Sequence, residues 1–306
     1  MKIIKHFVLF LLLLLAVFTS LWFTPVPLAW QEKFVVHYYQ FYFYPTPQWE
    51  AQHSFLEVLW VKSINLKLGY HWRDKTFGKL QATSPSEYPF AASVTYLKNH
   101  FITQQELPID VVQTPTYASV VRGFGTCDQI NGGLGLLLSS FCQQSELIEL
   151  KNNEYGSHSL VRTQSPLGVV YADAFNSDNY YGFKEKLTLK GSQIIPLFAE
   201  KKILFNSKEY KEARVLTSYA FFSYLSNKLV KRNLNTLFLS YFSIINHQNQ
   251  QRHYSENPTA MKLYLLARIA HLNEEQQTAK SRYQELLKLE AGLLKDCAIN
   301  FLGKMK

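Results

Sequence analysis

The chain has 306 residues, of which 47% are hydrophobic and 15% aromatic, and its formal net charge at pH 7 is +9. This composition excludes a disordered protein, and the length allows one large or two modest domains with proper cores. The three cysteines, at positions 127, 142 and 297, are too few for a disulfide framework and leave at least one free thiol. The nine histidines are scattered and no CxxC spacing occurs, so we expect neither a metal site nor a cofactor.

Residues 1–30 are predicted to hold an uncleaved signal anchor. Lys2 and Lys5 precede a nearly unbroken apolar run over residues 7–23, which is short for a bilayer span but long for the core of a signal peptide. Cleavage after Ala29 is the alternative. By the positive-inside rule, the charges before the run keep the N-terminus in the cytoplasm. We therefore expect a transmembrane helix in a bacterial inner membrane, with the rest of the chain on the periplasmic side.

Residues 31–89 form an aromatic-rich extension. Phe, Tyr and His crowd residues 34–44, and three structures remain open for this stretch: a sheet strand, a helix packed against the domain, or an interfacial belt that extends the anchor. Residues 49–68 show weak helical spacing, and residues 83–89 are rich in Ser and Pro, which is typical of a linker. The core is accordingly expected to begin near residue 90.

Cys127 lies where a buried helix is expected to begin. Gly123 and Gly125 allow a tight turn just before it. Apolar side chains follow at near-helical spacing, at Ile130, Leu134, Leu137, Leu138 and Phe141. The unpaired N–H groups and the dipole at a helix start favour the thiolate form of a cysteine. Cys127 is therefore a candidate nucleophile.

A predicted β-hairpin places a histidine beside an aspartate. His158 lies near the start of one strand, a turn is predicted at residues 165–168, and Asp173 ends the apolar strand that follows. Antiparallel pairing of these strands would bring the two side chains together. An aspartate beside a histidine fixes the imidazole tautomer and stabilises the imidazolium that pairs with a thiolate. His158 is therefore the candidate base, and Asp173 the residue that orients it.

The order Gly125-Thr126-Cys127, then His158, then Asp173 resembles the transglutaminase-like superfamily. This papain-related group has a Gly-x-Cys at a helix start, then His on one strand and Asp on the next. The resemblance covers roughly residues 90–180 and implies a catalytic role for the same three residues. It also implies two short helices ahead of the nucleophile, over residues 92–101 and 116–124. It also implies an α+β fold, with a papain-like or transglutaminase-like core over residues 90–200 in which the helix that carries the cysteine packs on an antiparallel sheet.

Two features make the chain resemble a divergent member of that family. Members commonly have a Trp two residues after the His and another shortly before the Asp, where this chain has Leu160 and the pair Val170-Tyr171. The helix after the cysteine also contains three glycines, Gly132, Gly133 and Gly135. Each glycine costs up to about 1 kcal/mol of helix stability relative to alanine, so we expect close packing to require them.

The resemblance implies thiol chemistry on an amide or similar acyl group of a protein or peptide. His158 would deprotonate Cys127, the thiolate would attack the carbonyl, and water or an amine would resolve the thioester, giving hydrolysis or acyl transfer. The Cys127 N–H would be one oxyanion donor, with Gln113 and Gln129 as open choices for a second. The alternative is a catalytically inactive scaffold whose helical region binds a partner in a cell-envelope assembly.

Residues 201–306 are predicted to be helical and carry nearly all of the net positive charge. Helical spacing covers residues 207–229, 260–271 and 276–289; the last two resemble a tetratricopeptide-type hairpin, with an ordinary helical bundle as the alternative. A basic helical face could meet anionic lipid headgroups, acidic glycans or an acidic partner, whereas solvated helix faces are the plainer interpretation. Nucleic acid is not expected, because a domain outside the cytoplasm rarely meets it.

Overall fold

The computed structural model describes most of the N-terminal half, the hairpin region and the C-terminal helices. The described residues are 24–83, 89–103, 106–107, 114–142, 144–152, 156–165, 168–175, 180–183, 211–218 and 257–305. The predicted anchor, residues 7–23, and most of the predicted linker, residues 84–88, lie outside the described residues.

Helices at the start of the described chain bury its aromatic residues. They are α1 (Leu28–His37), α2 (Tyr39–Phe43), α3 (Thr46–Ala51) and α4 (Phe55–Thr83). Pro27 and Pro45 immediately precede α1 and α3, where a missing N–H removes no helix hydrogen bond. The aromatic stretch over residues 34–44 is helical, with Phe34, Phe41, Tyr42 and Phe43 buried. Of the three structures left open for it, the packed helix is therefore the one observed.

Short elements lead the chain to the helix that begins at Cys127. α5 (Phe90–Asn99) is followed by β1 (Ile102–Thr103), and α6 (Thr116–Arg122) by β2 (Phe124–Gly125), which pairs with β1 in parallel. α7 (Cys127–Leu138) then starts at the cysteine itself. The two helices predicted ahead of the cysteine, and the helix start at the cysteine, are confirmed.

Gly133 accounts for part of the glycine content of α7. A Cβ at this position would lie 2.9 Å from Val120 Cγ2 of α6 and 3.2 Å from Leu97 Cδ1 of α5. Both distances are shorter than ordinary carbon–carbon contacts of about 3.5 Å or more. The glycine therefore lets α5 and α6 pack closely against α7, and the expected close packing is confirmed at this position.

An antiparallel sheet carries the histidine and the aspartate. Its strands are β3 (Gln144–Asn152), β4 (Gly156–Ser165), β5 (Gly168–Asp173), β6 (Tyr180–Phe183) and β7 (Lys211–Ser218), in the order β6-β5-β4-β3-β7. β4 and β5 pair with Val161 opposite Ala172, so the predicted hairpin is confirmed. Because α7 packs on β3 and β4, the helix that begins with Cys127 lies against the same strands that carry the hairpin.

Strand β7 differs from the prediction. Helical spacing over residues 207–229 predicted a helix, but Lys211–Ser218 form a strand that pairs with β3 at the edge of the sheet. This pairing satisfies the backbone N–H and C=O groups on the second side of β3, and such long-range pairing overrides a local helical pattern. The helix prediction is therefore wrong for residues 211–218, and the remainder of that range lies outside the described residues.

Helices α8 (Pro258–Leu272), α9 (Gln276–Leu286) and α10 (Leu293–Lys304) complete the described chain. The first two correspond to the helices predicted over residues 260–271 and 276–289. The side chain of Asn257 caps α8 by accepting the N–H groups of Thr259 and Ala260, at 3.0 and 3.3 Å. α8 also packs against α1 and α6, so the C-terminal helices share a core with the segment that carries Cys127.

The predicted fold class is wrong. The structure is a mixed, helix-rich fold with small sheets, not an α+β papain-like core with a helical C-terminal region after a transmembrane helix. None of the helices built from described residues combines the length and the apolar character that a bilayer crossing requires. α4 has 29 residues but includes the charged side chains of Lys62, Arg73 and Asp74. The predicted membrane anchor, and with it the localisation on the periplasmic side of a bacterial inner membrane, is therefore not supported by the described part of the chain, and residues 7–23 lie outside that part.

Candidate active site

Cys127 is half-buried at the first position of α7. The N–H of Thr126 donates to Oε1 of Gln129 at 3.3 Å, as in a capping box at a helix start. Arg122 Nη2 donates to the same Gln129 oxygen at 3.0 Å. A Cβ at Gly125 would overlap that oxygen and lie 3.0 Å from the Gln129 Cβ, so a larger residue here would displace the side chain that makes both contacts. Together these contacts fix the backbone from which the thiol projects.

His158 lies between the thiol and a buried carboxylate. Its Nε2 is 2.7 Å from Asp173 Oδ2, and the imidazole also forms a hydrogen bond with Cys127. Because Nε2 is engaged by the carboxylate, Nδ1 is the ring nitrogen that remains for the thiol. The Asp173 side chain is 3% exposed and that of His158 is 13% exposed. The structure thus brings together all three site residues predicted from the sequence.

The electrostatics of this cluster favour a protonated His158 paired with an ionised Asp173. Burial lowers the pKa of His158, but the hydrogen bonds to Asp173 and Cys127 and the charges of these partners outweigh it and raise the pKa to about 10. Burial raises the pKa of Asp173, whereas the His158 charge and the hydrogen bonds that the carboxylate accepts bring the pKa below its ordinary value. At neutral pH the imidazole is therefore protonated and the carboxylate ionised, and an imidazolium stabilises a neighbouring thiolate.

Asn131 belongs to the site, although sequence reasoning did not single it out. Its Nδ2 donates to Asp173 Oδ1 at 2.8 Å and to the carbonyl oxygen of Ser159 at 2.7 Å. Its Oδ1 accepts the N–H of Ala174 at 2.8 Å, and the side chain is fully buried. The available signal was a polar residue four positions after Cys127, in a helix that is otherwise apolar or glycine from Ile130 onward. It is hydrogen-bonded to both strands of the hairpin.

A buried arginine from α8 supports the turn before the cysteine. The guanidinium of Arg268 is fully buried and stacks over the ring of Phe301 at 4.1 Å. It donates to three backbone carbonyls, those of His100 (2.7 Å), Val120 (3.0 Å) and Val121 (3.0 Å). Gly123 has a φ of 78°, and a Cβ there would overlap the guanidinium. The C-terminal helices therefore contact the turn that leads into Cys127.

The chain contains two other thiols, and both are buried. Burial raises the pKa of Cys142 to about 12 and that of Cys297 to about 12. Neither thiol is therefore expected to compete with Cys127 for an electrophile added to the folded protein.

Neither glutamine considered for the oxyanion hole is tested as a donor by the described contacts. Gln129 accepts hydrogen bonds from Thr126 and Arg122 through its side-chain oxygen, which orients the amide at the helix start, whereas donation to an oxyanion would require its NH₂ group. Gln113 lies outside the described residues. The N–H of Cys127 stays a predicted donor, since the first N–H groups of a helix have no partner within the helix.

The chemistry of the cluster rests on its geometry. A thiol, an imidazole and a carboxylate in hydrogen-bonded sequence can generate a nucleophile and transfer its proton. The resemblance to the transglutaminase-like superfamily stays a prediction. No protein-family model matches the chain, and no curated protein or solved structure matches it significantly.

Proposed function

We propose that this protein is a transglutaminase-like cysteine hydrolase or acyltransferase that acts on amide or related acyl bonds of a protein or peptide. The observation that carries the proposal is the position of His158, which is hydrogen-bonded to the half-buried Cys127 and lies 2.7 Å from Asp173. In this arrangement Cys127 is the nucleophile, His158 the acid–base group, and Asp173 the residue that orients and charges the imidazole.

The first half of the reaction forms a thioester. In the starting ion pair, His158 already holds the proton of the Cys127 thiol, and the thiolate sulfur attacks the acyl carbon while the carbonyl electron pair moves to oxygen. When the tetrahedral intermediate collapses, the C–N bond breaks and the imidazolium gives its proton to the departing amine. The acyl group is then held on Sγ, and His158 is neutral.

The second half releases the acyl group. Water or an amine attacks the thioester carbon, and His158 takes the proton of this nucleophile. The C–S bond breaks, the sulfur leaves as a thiolate, and the imidazolium restores the starting ion pair. Water gives hydrolysis and an amine gives acyl transfer, so one site supports both outcomes.

An activated acyl ester tests the proposal without knowledge of the natural substrate. With p-nitrophenyl acetate, we expect p-nitrophenolate release together with an acetyl mass increase on Cys127, and we expect added methylamine to speed deacylation if transfer is favoured. The Cys127→Ser variant should lose this acylation and His158→Ala should be strongly slowed. If wild type is acetylated at Cys127 no faster than His158→Ala, the catalytic proposal fails and the inactive scaffold takes its place.

A further inference from the structure

We infer that Asn131 is a positioning residue that holds His158 and Asp173 at a fixed position relative to the helix that carries Cys127. The inference rests on the proposed function. Asn131 lies one helical turn beyond the cysteine, four residues along α7, so both side chains lie on the same side of the helix. One amide from the nucleophile's own helix thus reaches the two strands that carry the other members of the site.

The hydrogen bonds of Asn131 specify which way its amide faces. Two acceptors, Asp173 Oδ1 and the Ser159 carbonyl, require the NH₂ group, and one donor, the Ala174 N–H, requires the amide oxygen. Ser159 and Ala174 directly follow His158 and Asp173 in the chain. The amide therefore fixes the backbone beside both functional side chains and one oxygen of the carboxylate.

Asp173 depends on this contact for its orientation. Its Oδ1 accepts the Asn131 amide and the Phe175 N–H, both at 2.8 Å, which leaves Oδ2 directed at His158. Loss of the Asn131 amide would remove one of these two donors to Oδ1. The carboxylate would then be held less firmly and could rotate away from the imidazole. A poorly oriented carboxylate stabilises the imidazolium less, so the pKa of His158 should fall toward its ordinary value.

The charge of His158 can be followed by comparing two alkylating reagents. Iodoacetate is anionic and is attracted by the imidazolium, whereas iodoacetamide is neutral and reports the thiolate alone. In each reaction the sulfur attacks the CH₂ carbon and iodide leaves. The ratio of the two rate constants at Cys127 should therefore fall as pH rises through the pKa of His158.

The test measures this ratio against pH in wild type, Asn131→Ala and the matched control Asn65→Ala, which removes a buried amide from α4. In wild type and in the control, we expect this ratio to fall with a midpoint near pH 10. In Asn131→Ala we expect the midpoint to lie about one pH unit or more lower. A purely structural role would reduce the folded fraction without moving this midpoint.

Other outcomes separate the two claims. If Asn131→Ala folds and keeps the wild-type midpoint, the positioning role is refuted while the proposed function stands. If wild type itself shows no pH-dependent ratio, the proposed function fails first. Asn131→Ser, which keeps a hydroxyl donor, replaces the alanine variant if that one does not fold; if neither folds, Asn131 serves the fold and the inference is overturned.

Discussion

Replacing Asp173 with asparagine should narrow the pH range over which His158 is charged. The substitution keeps the shape of the side chain but removes a negative charge whose Oδ2 is 2.7 Å from His158 Nε2. An opposite charge this close shifts a pKa by about 1 to 3 units, so the pKa of His158 should fall from about 10 to about 8. At pH 9 the imidazolium fraction would then drop from about 0.9 to about 0.1.

The iodoacetate-to-iodoacetamide ratio at Cys127 measures this change directly. Asp128→Asn is the matched control, since it removes a carboxylate one residue from the nucleophile and leaves the contact between His158 and Asp173 in place. We expect the control to keep the wild-type midpoint and Asp173→Asn to lower it. A midpoint that stays near pH 10 in Asp173→Asn would show that the carboxylate does not charge the imidazole, and the reasoning would be refuted.

Three further predictions concern the supporting structure. Gly125→Ala forces a Cβ into the Gln129 side chain and should cost about 1–3 kcal/mol of unfolding free energy in a urea titration. Tyr264→Phe removes a 2.7 Å hydrogen bond to the backbone oxygen of Arg122 and should cost about 0.5–1.5 kcal/mol in the same assay. Burial beside a guanidinium lowers the pKa of His271, so stability should fall as pH drops below the unfolded value of about 6.5, and His271→Gln should flatten that slope.

The local parts of the site could be predicted from the sequence. A glycine turn followed by apolar residues at helical spacing predicted the helix start at Cys127. Two short apolar segments around one turn predicted the hairpin, and each of these patterns spans only a few residues. Because the strands pair in antiparallel fashion, the approach of His158 and Asp173 followed from the hairpin alone.

Features that depend on long-range contacts could not be predicted in this way. Residues 211–218 have apolar spacing compatible with a helix, and only pairing with β3 makes them a strand. The role of Arg268 depends on carbonyls more than a hundred residues earlier in the chain. Asn131 looks like a tolerated polar residue until its three hydrogen-bond partners are known. The predicted fold class was wrong for the same reason, because the prediction relied on one local motif and an N-terminal apolar run.

The C-terminal helices connect stability to the site. Arg268 of α8 donates to the last carbonyls of α6, and the turn at Gly123 then leads to Cys127. The guanidinium of Arg268 is charged and buried. At these contacts it is stabilised by hydrogen bonds to carbonyls and by the helix C-terminus, and not by a carboxylate. We therefore expect a loss of α8 packing to disturb the position of the thiol as well as the fold.

The central claim is that His158 activates Cys127, and the most direct measurement is the rate of Cys127 alkylation by iodoacetamide at pH 7 in wild type and in His158→Ala. Mass spectrometry identifies the alkylated cysteine, and glutathione serves as the free-thiol reference. An ordinary thiol is only a few per cent ionised at this pH, so we expect wild type to react about tenfold faster than glutathione and His158→Ala to return toward the reference. Equal rates for wild type and His158→Ala, or a wild-type rate no higher than that of glutathione, would contradict the account.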